Sequence, residues 1–101
     1  MWIDASMNDR DFVTACSVYA SAEDLDRLAD SADSSIRWAV AGNRNASTST
    51  LTRLAVDDDE TVWEEVGRNP NTPPSVRLWL QSDYRKTISL EEFLKAANSG
   101  E

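Results

Sequence analysis

Residues 51–76 read LTRLAVDDDETVWEEVGRNPNTPPSV, and residues 25–50, set beneath them without a gap, read LDRLADSADSSIRWAVAGNRNASTST. At this 26-residue step Leu25 meets Leu51, Leu28 meets Leu54, Ala29 meets Ala55, Ile36 meets Val62 and Val40 meets Val66. Asn43 and Asn69 coincide too, as do Asn45 and Asn71, and one further step reaches Arg77 and Leu80. A fixed period of this length marks a supersecondary unit that cannot bury its apolar face alone and must stack on its neighbours. Arg77 is the one position in the series that has lost its apolar residue.

Each unit divides into two short helical pieces. Leu25, Leu28 and Ala29 stand at i, i+3 and i+4, one face of a helix, and Leu51, Leu54 and Ala55 repeat it; Ile36, Ala39, Val40 and Asn43 do the same in the second piece. Start signals precede them: Ser21 with Asp24 three residues on, Asp33, Asp59, and Thr72 ahead of Pro73 at the first helical position. Stop signals follow at Gly42-Asn43 and from Gly67 to Pro70. The two asparagines satisfy backbone groups in the turn that follows. Pieces of about ten residues or fewer are marginal in isolation, so stacking must hold them.

Flanking the units, NDRDFVTACSVY reads as a degenerate second piece, with Asn8 as cap and Phe12, Val13 and Cys16 as its apolar side; Trp2 and Met7 plug the open N-terminal end. TISLEEFLKAANSG is a closing helix with a Ser89/Glu92 capping box, an Ile88/Phe93 staple, a face of Leu90, Phe93, Leu94 and Ala97, and Gly100 as its stop. No segment shows the alternation of a strand. The expected organisation is one all-α domain over 1–101: a half-repeat at 1–20, repeats at 21–46 and 47–72, a partial repeat at 73–83, and a linker with a C-terminal capping helix at 84–101. Its architecture is a short α-solenoid.

These residues also carry a resemblance. The second copy resembles the leucine-rich repeat variant family through Leu51, Leu54, Ala55, Asp57, Val62, Val66, Asn69, Pro70, Thr72 and Pro73, while the first departs at Arg44, Ala46 and Ser47, where the pattern has Pro, Thr and Pro. The resemblance spans about residues 12 to 80. It implies a right-handed superhelix of alternating α and short 3₁₀ helices. The family's first described member carries an iron–sulfur cluster on an N-terminal cysteine cluster, which a chain with Cys16 alone does not match. Short free-standing proteins of this kind, from actinobacteria and their phages, suggest a phage protein acting on a host factor, an association rather than a physical argument.

Composition narrows the function. With 18 acidic and 10 basic residues, no histidine and a net charge of −8, the chain repels phosphate backbones, and its arginines form no segregated patch. Direct nucleic-acid binding is therefore not expected, and a protein partner should be basic or meet the surface through apolar contact. From Asp57 to Glu65 six carboxylates run without a cation. Asp59 serves as a cap, Glu60 suits a helix N-terminus, and Asp57 and Asp58 are expected in solvent. No apolar run is long enough for a membrane, and the N-terminal residues lack a signal-peptide layout, so a cytoplasmic location is expected. The single cysteine cannot form an internal disulfide or a cysteine-ligated metal site, and no cofactor is implied. No histidine is present as a base, Gly42, Gly67 and Gly100 are scattered rather than clustered in a phosphate loop, and the serines have no base nearby, so catalytic residues are not expected.

What remains is a set of misplaced residues. Trp63 stands where the first copy has Arg37, Trp38 where the second has Glu64, Glu65 where the first has Ala39, and Trp79 where Arg27 and Arg53 lie. At 100° per residue Trp38 and Trp79 point outward and Trp63 lies near the flank. Exposed tryptophan is the residue most enriched in interface hot spots, so Trp63, Trp38 and Trp79, with the acids Glu64 and Asp58, are the candidate partner-binding residues. A homodimer formed through the same rings would occupy them equally well, and an acidic mimic of a nucleic-acid backbone, inhibiting a DNA- or RNA-binding protein, is the alternative. Glu65 must reach water or pair with an arginine such as Arg68 or Arg37.

Overall fold

Ser21, Ser47 and Pro73, each 26 residues from the last, are the N-caps of three equivalent helices. Ser21 Oγ accepts from Asp24 N–H at 3.0 Å and Ser47 Oγ from Thr50 N–H at 3.1 Å, each satisfying one of the donors that a helix start leaves free. Pro73 caps without a side-chain bond, its ring fixing φ at −55°.

The computed structural model describes the backbone of residues 2–99 and the side chains of 9–97. Among these residues there are eight helices and no strand: α1 (Trp2–Cys16), α2 (Ala22–Leu28), α3 (Ser34–Gly42), α4 (Thr48–Leu54), α5 (Glu60–Arg68), α6 (Pro74–Gln81), α7 (Tyr84–Thr87) and α8 (Leu90–Ser99). All are α-helical, and no 3₁₀ helix alternates with them among the described residues. Asp33 and Asp59 cap α3 and α5 by accepting from Ser35 and Thr61 N–H, each at 2.9 Å.

α1, α3 and α5 lie side by side, α2 packs on both α1 and α3, α4 on both α3 and α5, and α6 on α5. The result is a fold with a long axis, 53 × 24 × 17 Å. One apolar cluster runs through it, built on Leu25, Ile36, Val40, Leu51, Val62, Val66 and Val76, all essentially inaccessible to water. Burying each such side chain stabilises by about 1.5–3 kcal/mol.

The asparagines bind unit to unit. Asn69 Nδ2 donates to the carbonyls of Ala41 and Asn43 at 2.8 and 2.9 Å, and Asn43 Nδ2 donates to those of Ala15 and Ser17 at the same two distances. In each case Oδ1 accepts from the N–H two residues on, at Asn71 and Asn45. A second rung runs outside the first, from Asn45 Nδ2 to the Val18 and Ala20 carbonyls and from Asn71 Nδ2 to Arg44 O. The next step would need an asparagine at 95, which is Lys95. Arg77 fills the gap: its Nη2 donates to Asn69 O at 2.7 Å. The residue that broke the leucine series thus completes the ladder.

Three local expectations change. α1 already runs from Trp2, so Asn8 lies inside it rather than capping it, and Ala15 is buried while Val13 and Cys16 are exposed. Asn43 meets the C-terminal end of α1, donating to the Ala15 and Ser17 carbonyls. Thr72 is not the cap of α6; it is buried and its hydroxyl donates to Val66 O at 2.6 Å, leaving the cap to Pro73. On α8, Leu90 is buried and Phe93 and Leu94 are half-buried, but Ala97 is exposed. Ser89 Oγ accepts from Glu92 N–H at 3.1 Å. The side chains of Trp2 and Met7, and Gly100, lie outside the described residues.

Candidate recognition site around Trp38

Between the first and second units the apolar and asparagine contacts are joined by an ionic one. Arg37 Nε and Nη2 reach Asp57 Oδ2 and Oδ1 at 2.8 and 3.2 Å, and Nη1 donates to Ser31 O at 2.8 Å. Only 16% of the Arg37 side chain and 8% of the Asp57 side chain face water. Asp57 is therefore not the solvated acid its charged neighbourhood suggests: a fork of two donors draws it onto α3. Asp58 is, with 98% of its side chain exposed and Arg37 Nη2 at 3.8 Å. Arg53 makes a second link, to Asp26 and Asp30, at 2.7 Å each.

At the next step the chemistry switches. Trp63 occupies the counterpart position of Arg37, and the cation now comes from the far side: Arg85 of α7 lies 3.5 Å from the Trp63 ring centroid and 5.9 Å from that of Trp79. Trp63 is half-buried against the core. Trp79 is 5% exposed, and its Nε1 donates to Ile88 O at 3.1 Å. The outward position expected for Trp79 is thus wrong. α7 and α8 fold back onto α6 and cover it, and Leu78, the neighbouring residue, is the one left in solvent. Burial of an indole of this kind stabilises by about 3 kcal/mol.

Trp38 differs from both. It is 40% exposed on α3 and lines a concavity of about 200 Å³ with Cys16, Ala39, Gly42, Asn43 and Glu65. Glu65 pairs with Arg68, Nη1 to Oε1 at 3.1 Å, one of the two partners foreseen. A second concavity of about 190 Å³ lies one unit on, lined by Trp63, Glu64, Gly67, Arg68, Leu80 and Gln81. The five candidate residues thus divide. Trp38 is open, Trp63 and the exposed Glu64 share the second hollow, Asp58 is exposed with Arg37 nearby, and Trp79 is interior. Sequence reasoning missed Arg85, whose only signal is that Arg85 and Lys86 are adjacent cations directly after the tryptophan-bearing helix.

Comparison with protein-family models, with curated proteins and with solved structures returns no match. The chemistry of the chain must therefore be taken from its own residues. Among the described residues no group of three or more histidine, cysteine, aspartate or glutamate side chains is placed to hold a metal ion, and no helix is long and apolar enough to cross a membrane.

Electrostatics is set by local bonds. The Thr50 hydroxyl, then Arg53, hold the Asp26 carboxyl below its ordinary range. Ser35 does the same for Asp33 and Thr61 for Asp59, through hydroxyl and backbone N–H together. Hydrogen bonding to Asp57 raises Arg37 and that to Asp30 raises Arg53, so both guanidinium groups stay charged.

Proposed function

We propose that this chain is a noncatalytic protein-binding module: a short right-handed α-solenoid of the leucine-rich repeat variant type, capped at its C-terminal end by α7 and α8. It presents Trp38 as anchor, with Trp63 and the acids Glu64 and Asp58 as further contact residues. The observation that carries this is the fate of the three repeat tryptophans. Two are taken up by contacts within the chain, while Trp38 is 40% exposed and lines an open hollow in a chain of net charge −8. Indole burial would supply affinity, and the carboxylates would select a basic partner and speed its approach. A phage protein that engages a host factor fits this description.

The test is capture of partner protein by immobilised wild type and by Trp38→Ala over a salt series. The anchor reading expects Trp38→Ala to lose roughly tenfold or more in affinity, as hot-spot tryptophans do, with modest dependence on salt. Capture that collapses as salt rises and ignores Trp38→Ala would instead identify an acidic mimic of nucleic acid. Self-association would show as a Trp38-dependent change in sedimentation of the purified chain alone.

A further inference from the structure

Six residues line the Trp38 concavity, and most of them are already committed. Ala39 is buried. Asn43 spends both its Nδ2 bonds on the Ala15 and Ser17 carbonyls and its Oδ1 on Asn45 N–H. Gly42 contributes space. A Cβ placed there would stand 3.0 Å from Glu65 Oε2 and 3.3 Å from its Cγ, so the missing side chain is what lets the carboxylate lie across the end of α3. Glu65 Oε1 accepts from Arg68, whereas Oε2 receives no hydrogen bond from any described residue. Trp38, 40% exposed, and Glu65, with one carboxylate oxygen of unused acceptor capacity, therefore border one small hollow. Its volume, about 200 Å³, is below that of pockets that enclose whole small molecules, typically 300–1,000 Å³.

The molecule shows what such a ring takes. At Trp63 a guanidinium, that of Arg85, stacks at 3.5 Å. At Trp38 no described cation does so, and the adjacent Arg37 is engaged by Asp57 and Ser31. A planar guanidinium can lie on an indole and still donate in its own plane, which a lysine ammonium cannot match.

We propose that the Trp38–Glu65 hollow receives one arginine side chain of a basic partner protein, its guanidinium stacked on Trp38 and donating to Glu65 Oε2. This rests on the reading of the Trp38 surface as the contact face, and it names what that face recognises.

The experiment follows the Trp38 indole N–H resonance of the full ¹⁵N-labelled chain, assigned by its absence in Trp38→Leu, during titration with a capped Gly-Arg-Gly peptide. Saturable shifts are expected with Kd on the order of millimolar, as befits one side chain. A citrulline peptide, isosteric but uncharged, and the Glu65→Gln variant should each weaken binding about three- to fivefold or more. Glu23→Gln, the same charge change at an exposed position on α2, should leave it unaltered. Equal binding of citrulline, equal weakening by Glu23→Gln, or no indole shift with arginine peptide in the tens of millimolar each overturns the proposal. If the peptide fails while Trp38→Ala still abolishes partner capture, only the arginine assignment falls; if both fail, the contact face falls with it.

Discussion

Replacing Asn69 with alanine tests the ladder that joins one unit to the next. Asn69 is 2% exposed and its side chain makes three bonds, from Nδ2 to the Ala41 and Asn43 carbonyls and from Asn71 N–H to Oδ1. Asn43 O keeps a second donor, Ala46 N–H at 3.1 Å, but Ala41 O is buried beside Val40 and loses its inter-unit donor. Each bond contributes about 1 kcal/mol net, and an orphaned buried carbonyl adds about 1–3 kcal/mol, so Asn69→Ala should cost about 4–6 kcal/mol. That is a large part of the roughly 5–15 kcal/mol that holds a domain of this size. Asn69→Asp should cost more, because it sets a carboxylate oxygen against two carbonyl oxygens in a dry site. Asn45→Ala is the comparison. Its two bonds, to the Val18 and Ala20 carbonyls, start from an exposed residue, and water can replace them, so about 1 kcal/mol or less is expected. Urea unfolding followed by far-ultraviolet circular dichroism measures all three. An Asn69→Ala cost under about 1 kcal/mol, or no larger than that of Asn45→Ala, would refute the claim that the ladder holds the units in register.

Three further outcomes follow from the geometry. Arg37→Ala or Asp57→Ala alone should destabilise by about 2–4 kcal/mol, since each strands a largely buried charge, whereas the double variant should cost less than the sum; a purely additive cycle would show that the pair is not coupled. Gly42→Ala should be destabilising by about 1 kcal/mol because its Cβ meets Glu65, yet in a Glu65→Ala background it should become neutral or stabilising, as alanine is the better helix former; thermal melts of the four proteins decide it. Asp26, Asp33 and Asp59 are held below the ordinary carboxylate range, so their contribution is fully present above the unfolded value near pH 4 and is lost as pH falls through the folded values. The urea midpoint should be flat from about pH 7 to 5 and fall below about pH 4, with Asp33→Asn and Asp59→Asn flattening the acid limb.

What the sequence made legible was local and periodic. Ser21, Asp33 and Asp59 as caps depend only on the next two or three residues, and all three bonds are present. The buried positions Leu25, Leu51, Ile36 and Val62 follow from helical spacing repeated at a fixed step. The failures lie where a residue's neighbour is not the counterpart of its neighbour in the previous copy. A helical wheel places Trp79 by analogy with Arg27 and Arg53, but after Gln81 the repeat gives way to α7 and α8, which return over α6. Arg85 over Trp63 escapes notice for the same reason. Asp57 fails differently: a carboxylate among carboxylates looks solvated until Arg37, twenty residues earlier, is brought beside it by the stacking of α3 and α5.

The positions that keep the 26-residue period and those that break it have different physical fates, and this separation is what isolates the surface. Leu, Val and Asn pairs that recur are consumed by the core and the ladder. Among the positions that differ between the copies, three consecutive pairs on α3 and α5 exchange ring, charge and apolar residue: Arg37 with Trp63, Trp38 with Glu64, and Ala39 with Glu65. The first pair is used up on both sides, Arg37 by Asp57 and Trp63 by Arg85. In the third, Ala39 is buried while Glu65 has found room only because Gly42 has no side chain. Trp38, Glu64 and one oxygen of Glu65 are what these three pairs leave over. Stability alone does not call for an exposed ring there, since the second unit stacks with a glutamate in its place. Trp38→Glu should therefore leave the urea midpoint within error of wild type while removing partner capture, and a loss of stability comparable to Asn69→Ala would show that the ring serves the stack after all.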